Sequence, residues 1–210
     1  MRFGLYQFKS PFRKFITFLL PFFKDSDPNT ISWSLLPIGL IICAIYYHAP
    51  ENSWLYLLGI LMIFVRMIVA TLDGYVAETF HKQSRNGDIL NRLVPEICDI
   101  LLLISVIAAN PNFALGLCLM GIAWLSSFFG LIGLVGEKPA LSMGPLGQTD
   151  RLALLMLCSL LEYLAKIFSW DFSFILLFLN CCVLAGLLTI ANRFRHLLYD
   201  EPSRKFKSLE

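Results

Sequence analysis

The sequence predicts an all-α fold: a polytopic membrane protein with six transmembrane helices and an N-terminal juxtamembrane amphipathic helix. Three observations carry this expectation. Of 210 residues, 57% are hydrophobic and only 15% charged, with a mean hydropathy of +0.69, whereas a soluble domain is roughly 45–50% apolar. Six stretches approach the ~20 largely apolar residues that a bilayer span needs. Fifteen of the seventeen Lys and Arg residues fall on one side of the membrane if all six stretches cross it. The formal charge of +2 is close to neutral and points to no nucleic-acid partner.

The elements follow in chain order. Residues 1–27 form the expected interfacial segment, where Arg2, Lys9, Arg13 and Lys14 alternate with Phe12, Phe15, Ile16, Phe18 and Leu19. Such a helix lies on an anionic cytoplasmic leaflet. Pro11 and Pro21 interrupt its apolar runs, and no small-residue cleavage site follows, so it does not read as a cleaved signal. Residues 28–196 form the expected six-helix domain, and residues 197–210 a cytoplasmic tail. The first span runs from about Ile31 to Tyr47, with Asn29 or Thr30 as cap. The second runs from about Trp54 past Asp73 to Thr79. The third starts near Asp88 and stops at "NPN", residues 110–112. The fourth covers Phe113 to Val135, the fifth Arg151 to Phe168, and the sixth Phe172 to about Asn192. Both termini are then cytoplasmic. Six cysteines in apolar stretches form no CxxC pair, and three scattered histidines make no zinc spacing. A metal here would need oxygen ligands.

The chemistry-bearing side chains gather at one end of the second and third spans: Asp73, Glu78, Asp88, Asn91, Glu96 and Asp99. Ionisable groups at membrane depth face a cavity or a partner. Arg66, Ala70, Asp73 and Ala77 share one helix face, as do Arg92, Glu96 and Asp99. Two such faces packed together would line a polar pocket. A second candidate is "SMGPLGQTDRL", a tight turn before the fifth span. There Asp150 caps the helix or pairs with Arg151, and Arg151 could hold a lipid phosphate. Glu162 and Lys166 read as an i, i+4 pair.

These residues resemble the CDP-alcohol phosphotransferase family, whose motif is Asp-x2-Asp-Gly-x2-Ala-Arg-x8-Gly-x3-Asp-x3-Asp. Asp73, Gly74, Ala77 and Gly87 match it in register, and "PNTIS" at 28–32 resembles the family's Pro-Asn-x-Ile-Thr/Ser. "VRMIVATLDG", "GDILN", "GPLGQTDR" and "ANRFR" are similar to a divergent bacterial branch with a degenerate motif. The resemblance implies transfer of a phosphatidyl or phosphoalcohol group from a CDP-linked donor to an alcohol, with release of CMP. It also implies a homodimer in the bacterial cytoplasmic (inner) membrane, surrounded by membrane lipids. In the family, the first three aspartates hold two divalent ions, and the fourth acts as base. Here those positions are Ala70, Asp73, Asn91 and Pro95, and the motif arginine is Glu78.

By the resemblance, Asp73 and Asn91 are the candidates for a reduced or absent Mg²⁺ or Mn²⁺ site. Glu96 and Asp99 are the candidate catalytic acids. Arg66, Gly74, Ala77, Gly87 and Arg151 are the candidate substrate-binding positions. Two readings of the acids stand side by side: a relocated site that still holds a metal, or buried ion pairs with Arg66, Arg85 and Arg92. The functions divide likewise into a modified transferase and an inactive homologue that binds a lipid, nucleotide or partner protein through the same pocket. A transporter would require an inverted repeat, and none is evident.

Overall fold

The computed structural model describes residues 9–110, 112–132 and 147–199. Arg2, Lys138, the turn at 144–146 and the tail from residue 200 lie outside these described residues.

Every regular element among the described residues is helical. Helix α1 spans Lys9–Ile16 and passes into a 3₁₀ turn, Thr17–Phe23, which contains Pro21. Proline withholds the N–H that an α-helical turn needs. Helix α2 is Pro28–His48. Its cap is Asp27, not Asn29 or Thr30: the Asp27 carboxylate accepts the Asn29 N–H at 3.2 Å. Pro28 suits the first helical position, where no N–H is missed, and this pushes the cap one residue upstream.

Helix α3 is Leu55–Thr79 and α4 is Arg85–Ala108. Ser84 caps α4 by accepting the Gly87 N–H at 3.0 Å. The helix runs on through Pro95. Helices α5 (Phe113–Ile132), α6 (Gln148–Ile167) and α7 (Phe174–Tyr199) complete the chain.

The six long helices close a ring in which α2 packs on α3, α3 on α6, α6 on α7, α7 on α5, α5 on α4, and α4 back on α2. All six contribute to one apolar core, through residues such as Ile42, Ile63, Val106, Leu119, Leu155 and Phe178. Gly59 makes the α2–α3 approach close, since a Cβ there would stand 2.7 Å from the Tyr46 ring.

The outer surface is apolar as well, with Leu40, Leu61, Ile104, Trp124, Leu157 and Leu188 all exposed. Three helices are long and apolar enough to cross a membrane: Pro28–His48, Leu55–Thr79 and Phe174–Leu197. This is a membrane protein. Six such spans were expected from the sequence. The other three helices exist, but α4 and α6 carry charges within their length, and the apolar part of α5 is shorter.

Candidate functional site

On α3, Arg66 and Asp73 are seven residues apart, so they share a face about 10 Å apart along the axis. The two belong to different clusters.

The first cluster is at Asp73. Its side chain is 1% exposed, and its Oδ2 accepts the Ser32 hydroxyl of α2 at 2.6 Å. The next residue, Gly74, brings α3 against α4: a Cβ there would meet the Asn91 Nδ2 at 2.8 Å. Asn91 of α4 thus lies against the residue that follows Asp73 on α3. Ala77 lies a turn further along α3, and its carbonyl accepts the Lys82 N–H at 2.9 Å. Gly87 sits in the first turn of α4, facing Asn29 of α2.

The second cluster is centred on Asp99 of α4. Arg66 donates from Nη2 to Asp99 Oδ1 at 2.6 Å and to the Pro95 carbonyl at 2.8 Å. Arg151, in the first turn of α6, brings its own Nη2 to 3.6 Å from Asp99 Oδ2. The three residues are only 4–5% exposed. A charge so far from water requires a partner of opposite sign, and each has one.

Glu96 accepts the Ser127 hydroxyl of α5 at 3.0 Å and lies within electrostatic reach of Asp99, Arg151 and Arg66. Arg193 of α7 is buried, donates to the Ser126 carbonyl, and lies within electrostatic reach of Arg151, Glu96 and Asp150. Three arginines, Arg66, Arg151 and Arg193, and two carboxylates, Asp99 and Glu96, are therefore within electrostatic reach of one another inside the ring.

Of the partners considered for the acids, Arg66 pairs with Asp99, whereas Arg85 and Arg92 are exposed on α4. Glu78 is exposed and turns away to the N-terminal helix, where Arg13 binds it at 2.6 Å. Arg13 also lies over the Tyr75 ring at 5.3 Å. Asp150 acts as the cap, accepting the Gly147 N–H at 2.8 Å, while Arg151 goes to Asp99. Glu162 does not serve as the surface partner of Lys166. It is buried and accepts the Phe174 and Ile175 N–H groups at 2.6 and 3.1 Å. The free N–H groups at the start of α7 attract a carboxylate more strongly than one exposed ammonium does.

Ser32, Ser127 and Arg193 were not singled out in the sequence. Ser32 ends the "PNTIS" stretch, and Ser126-Ser127 is a polar pair in an otherwise apolar span. Either was a usable signal. Arg193 looked like a tail cation because it lies close to the end of its helix. Among the described residues, no three His, Cys, Asp or Glu side chains converge as a metal-binding group.

Compared with known proteins, the chain is 28% identical over 150 residues to the inner membrane protein YnbA of Escherichia coli (strain K12), covering 70% of this chain and 74% of that protein. This supports the divergent bacterial branch suggested by the four short motifs. No family model matches the chain. No solved structure matches it either.

Proposed function

We propose that this chain is a bacterial inner-membrane protein of CDP-alcohol phosphotransferase descent that binds a phosphate-bearing lipid or CDP-linked ligand through its buried arginines without transferring it. The assignment of the acids carries this reading. Asp99 is held between Arg66 and Arg151, Asp73 by Ser32, and Glu96 by Ser127. A divalent ion seeks an oxygen-rich set of ligands. Asp73 and Asn91 offer one carboxylate and one neutral amide, which does not fit two such ions. Guanidinium groups, by contrast, bind phosphate oxygens through paired N–H donors without any metal.

The membrane arrangement proposed is six spans with both termini cytoplasmic. Segregation of the cations supports it. So does the direction in which α4 and α6 turn their side chains. Asp99, Arg151 and Glu162 are buried inside, while Ile89, Leu93, Ile104, Leu157 and Leu160 face outward. Both helices thus present apolar surfaces to lipid despite their charge.

The test is the thermal unfolding of the purified full chain in detergent with EDTA. CDP-diacylglycerol or phosphatidylglycerol should raise the midpoint and phosphatidylcholine should not, with about 2.7 kcal/mol of stabilisation at a hundredfold excess over Kd. R151Q should abolish the effect. Stabilisation that appears only with Mg²⁺ or Mn²⁺ would overturn this reading.

The close approach of Asn91 to the Asp73–Gly74 segment favours a second reading, a transferase that retains one metal. It is supported only if CMP is released from CDP-diacylglycerol and D73N abolishes that release.

A further inference from the structure

Asp99 is paired with both Arg66 and Arg151, and Glu96 lies within electrostatic reach of the same two arginines, so these cations already have carboxylate counter-ions before any ligand arrives. An anion entering such a site must displace a resident carboxylate from its cation. The partners differ in how firmly they are held. Asp99 Oδ1 takes a 2.6 Å hydrogen bond from Arg66, whose Nη2 is also tied to the Pro95 carbonyl. Asp99 Oδ2 is buried and makes no hydrogen bond, and Arg151 stands 3.6 Å from it, beyond good hydrogen-bond length. Of the other buried polar atoms that lack hydrogen-bond partners among the described residues, two are Ser126 Oγ on α5 and Gln148 Nε2 on α6. Gln148 precedes Arg151 by three residues and so shares its helix face. Arg193 bonds to the carbonyl of the same Ser126. The α6 side of the cluster thus holds a loosely paired guanidinium with unused donors close by in the chain.

We propose that Asp99 is the affinity-setting residue of the anion site: a resident counter-ion on Arg151 that the ligand's phosphate displaces. This rests on the ligand-binding reading above. Arg66 keeps Asp99 in place through the exchange, because its bond to Oδ1 does not depend on Arg151. Arg151 moves from the carboxylate to the phosphate oxygens, and no covalent bond changes. The ligand chemistry is an ionised phosphate, carried either by a lipid headgroup or by a soluble phosphoalcohol.

Two variants with opposite expected signs test this in the full chain. D99N retains an oxygen for Arg66 but removes the charge that competes for Arg151. If the resident pair keeps Arg151 free only about a tenth of the time, removing it tightens binding about tenfold. D99E keeps the charge and adds one methylene, enough to close the 3.6 Å gap, so binding weakens. Affinity is measured with phosphatidylglycerol micelles and, separately, with soluble glycerol 3-phosphate, which distinguishes the lipid from the free phosphoalcohol. Tighter binding by D99N together with weaker binding by D99E supports the proposal. If D99N fails to fold, weaker binding by folded D99E still supports it, and unchanged or tighter binding by D99E overturns it. Wild-type binding that neither variant alters overturns the inference and leaves the ligand-binding reading standing. No binding by the wild type to either probe overturns both.

Discussion

Asp99 is surrounded by cations from two other helices, and its substitution by an apolar residue differs in meaning from the loss of either arginine. Removing Arg66 alone leaves a buried carboxylate with only the looser Arg151 contact, and breaking a buried pair in this way costs about 3–5 kcal/mol. R66M should therefore lower the thermal midpoint sharply. The double substitution R66M/D99M removes both charges and should recover part of that loss, since an apolar pair avoids the desolvation penalty while Arg151 loses its carboxylate. Additive losses in the double variant would show that the two side chains do not act as a pair. Part of this was legible in the sequence. The helical period put Arg66 and Asp73 on one face and Glu96 and Asp99 near the same depth. What the period does not reveal is the partner on another helix: Arg66 passes over Asp73, on its own face, for Asp99 on α4, and Ser32 takes the place beside Asp73. Those choices depend on how α2, α3 and α4 pack.

At the scale of the elements, the boundaries followed local chemistry closely, and the departures have local causes. Pro28 moved the cap of α2 back to Asp27, and Glu162 reaches from α6 across the connection to the first N–H groups of α7. The contact between α3 and α4 is set by the absence of a side chain at Gly74. A Cβ there would stand 2.8 Å from the Asn91 amide nitrogen, the end of a flexible side chain. G74A should therefore be tolerated in folding, at about 1–3 kcal/mol for overpacking, while displacing the Asn91 side chain from its place against Gly74. If Asn91 belongs to the ligand site, G74A weakens binding of phosphatidylglycerol or CDP-diacylglycerol by more than its stability loss explains. Equal affinity in G74A would remove Asn91 from the site. The sequence motif gave the position of this glycine, but only the packed helices show which side chain it makes room for.

At the scale of the whole molecule, the number of spans decides what the arginine cluster faces. Three helices meet the length and hydropathy of a span on their own: α2, α3 and α7. If only these crossed, α4, α5 and α6 would remain on the side of the N-terminus, and α7 would carry Arg193, Arg195, Arg204, Lys205 and Lys207 to the opposite side. That would break the charge segregation seen along the chain. It would also separate in depth helices that the fold packs side by side, since α6 lies between α3 and α7, and α5 between α4 and α7. Part of the low hydropathy of α4 and α6 arises from Asp99, Arg151 and Glu162, which the ring encloses, so composition alone understates the fitness of those helices for lipid. Labelling with a membrane-impermeant maleimide tests this in intact cells, using one cysteine at a time introduced at the exposed positions Asn52, His81, Asn112 and Asp171 in a background with all six native cysteines replaced by serine. With six spans and cytoplasmic termini, Asn52, Asn112 and Asp171 react from outside, and His81 reacts only after the membrane is opened. With three spans, Asn52 reacts but Asn112 and Asp171 are protected. Reaction at Asp171 together with protection at His81 requires an odd number of crossings among α4, α5 and α6, and reaction at Asn112 as well means that α4 crosses and that α5 and α6 cross together or not at all. The four positions must therefore be read together: six spans predict that all three outward sites agree, protection of either Asn112 or Asp171 rejects the six-span arrangement, and reaction of His81 from outside rejects the placing of the Asp73 pocket at the cytoplasmic leaflet.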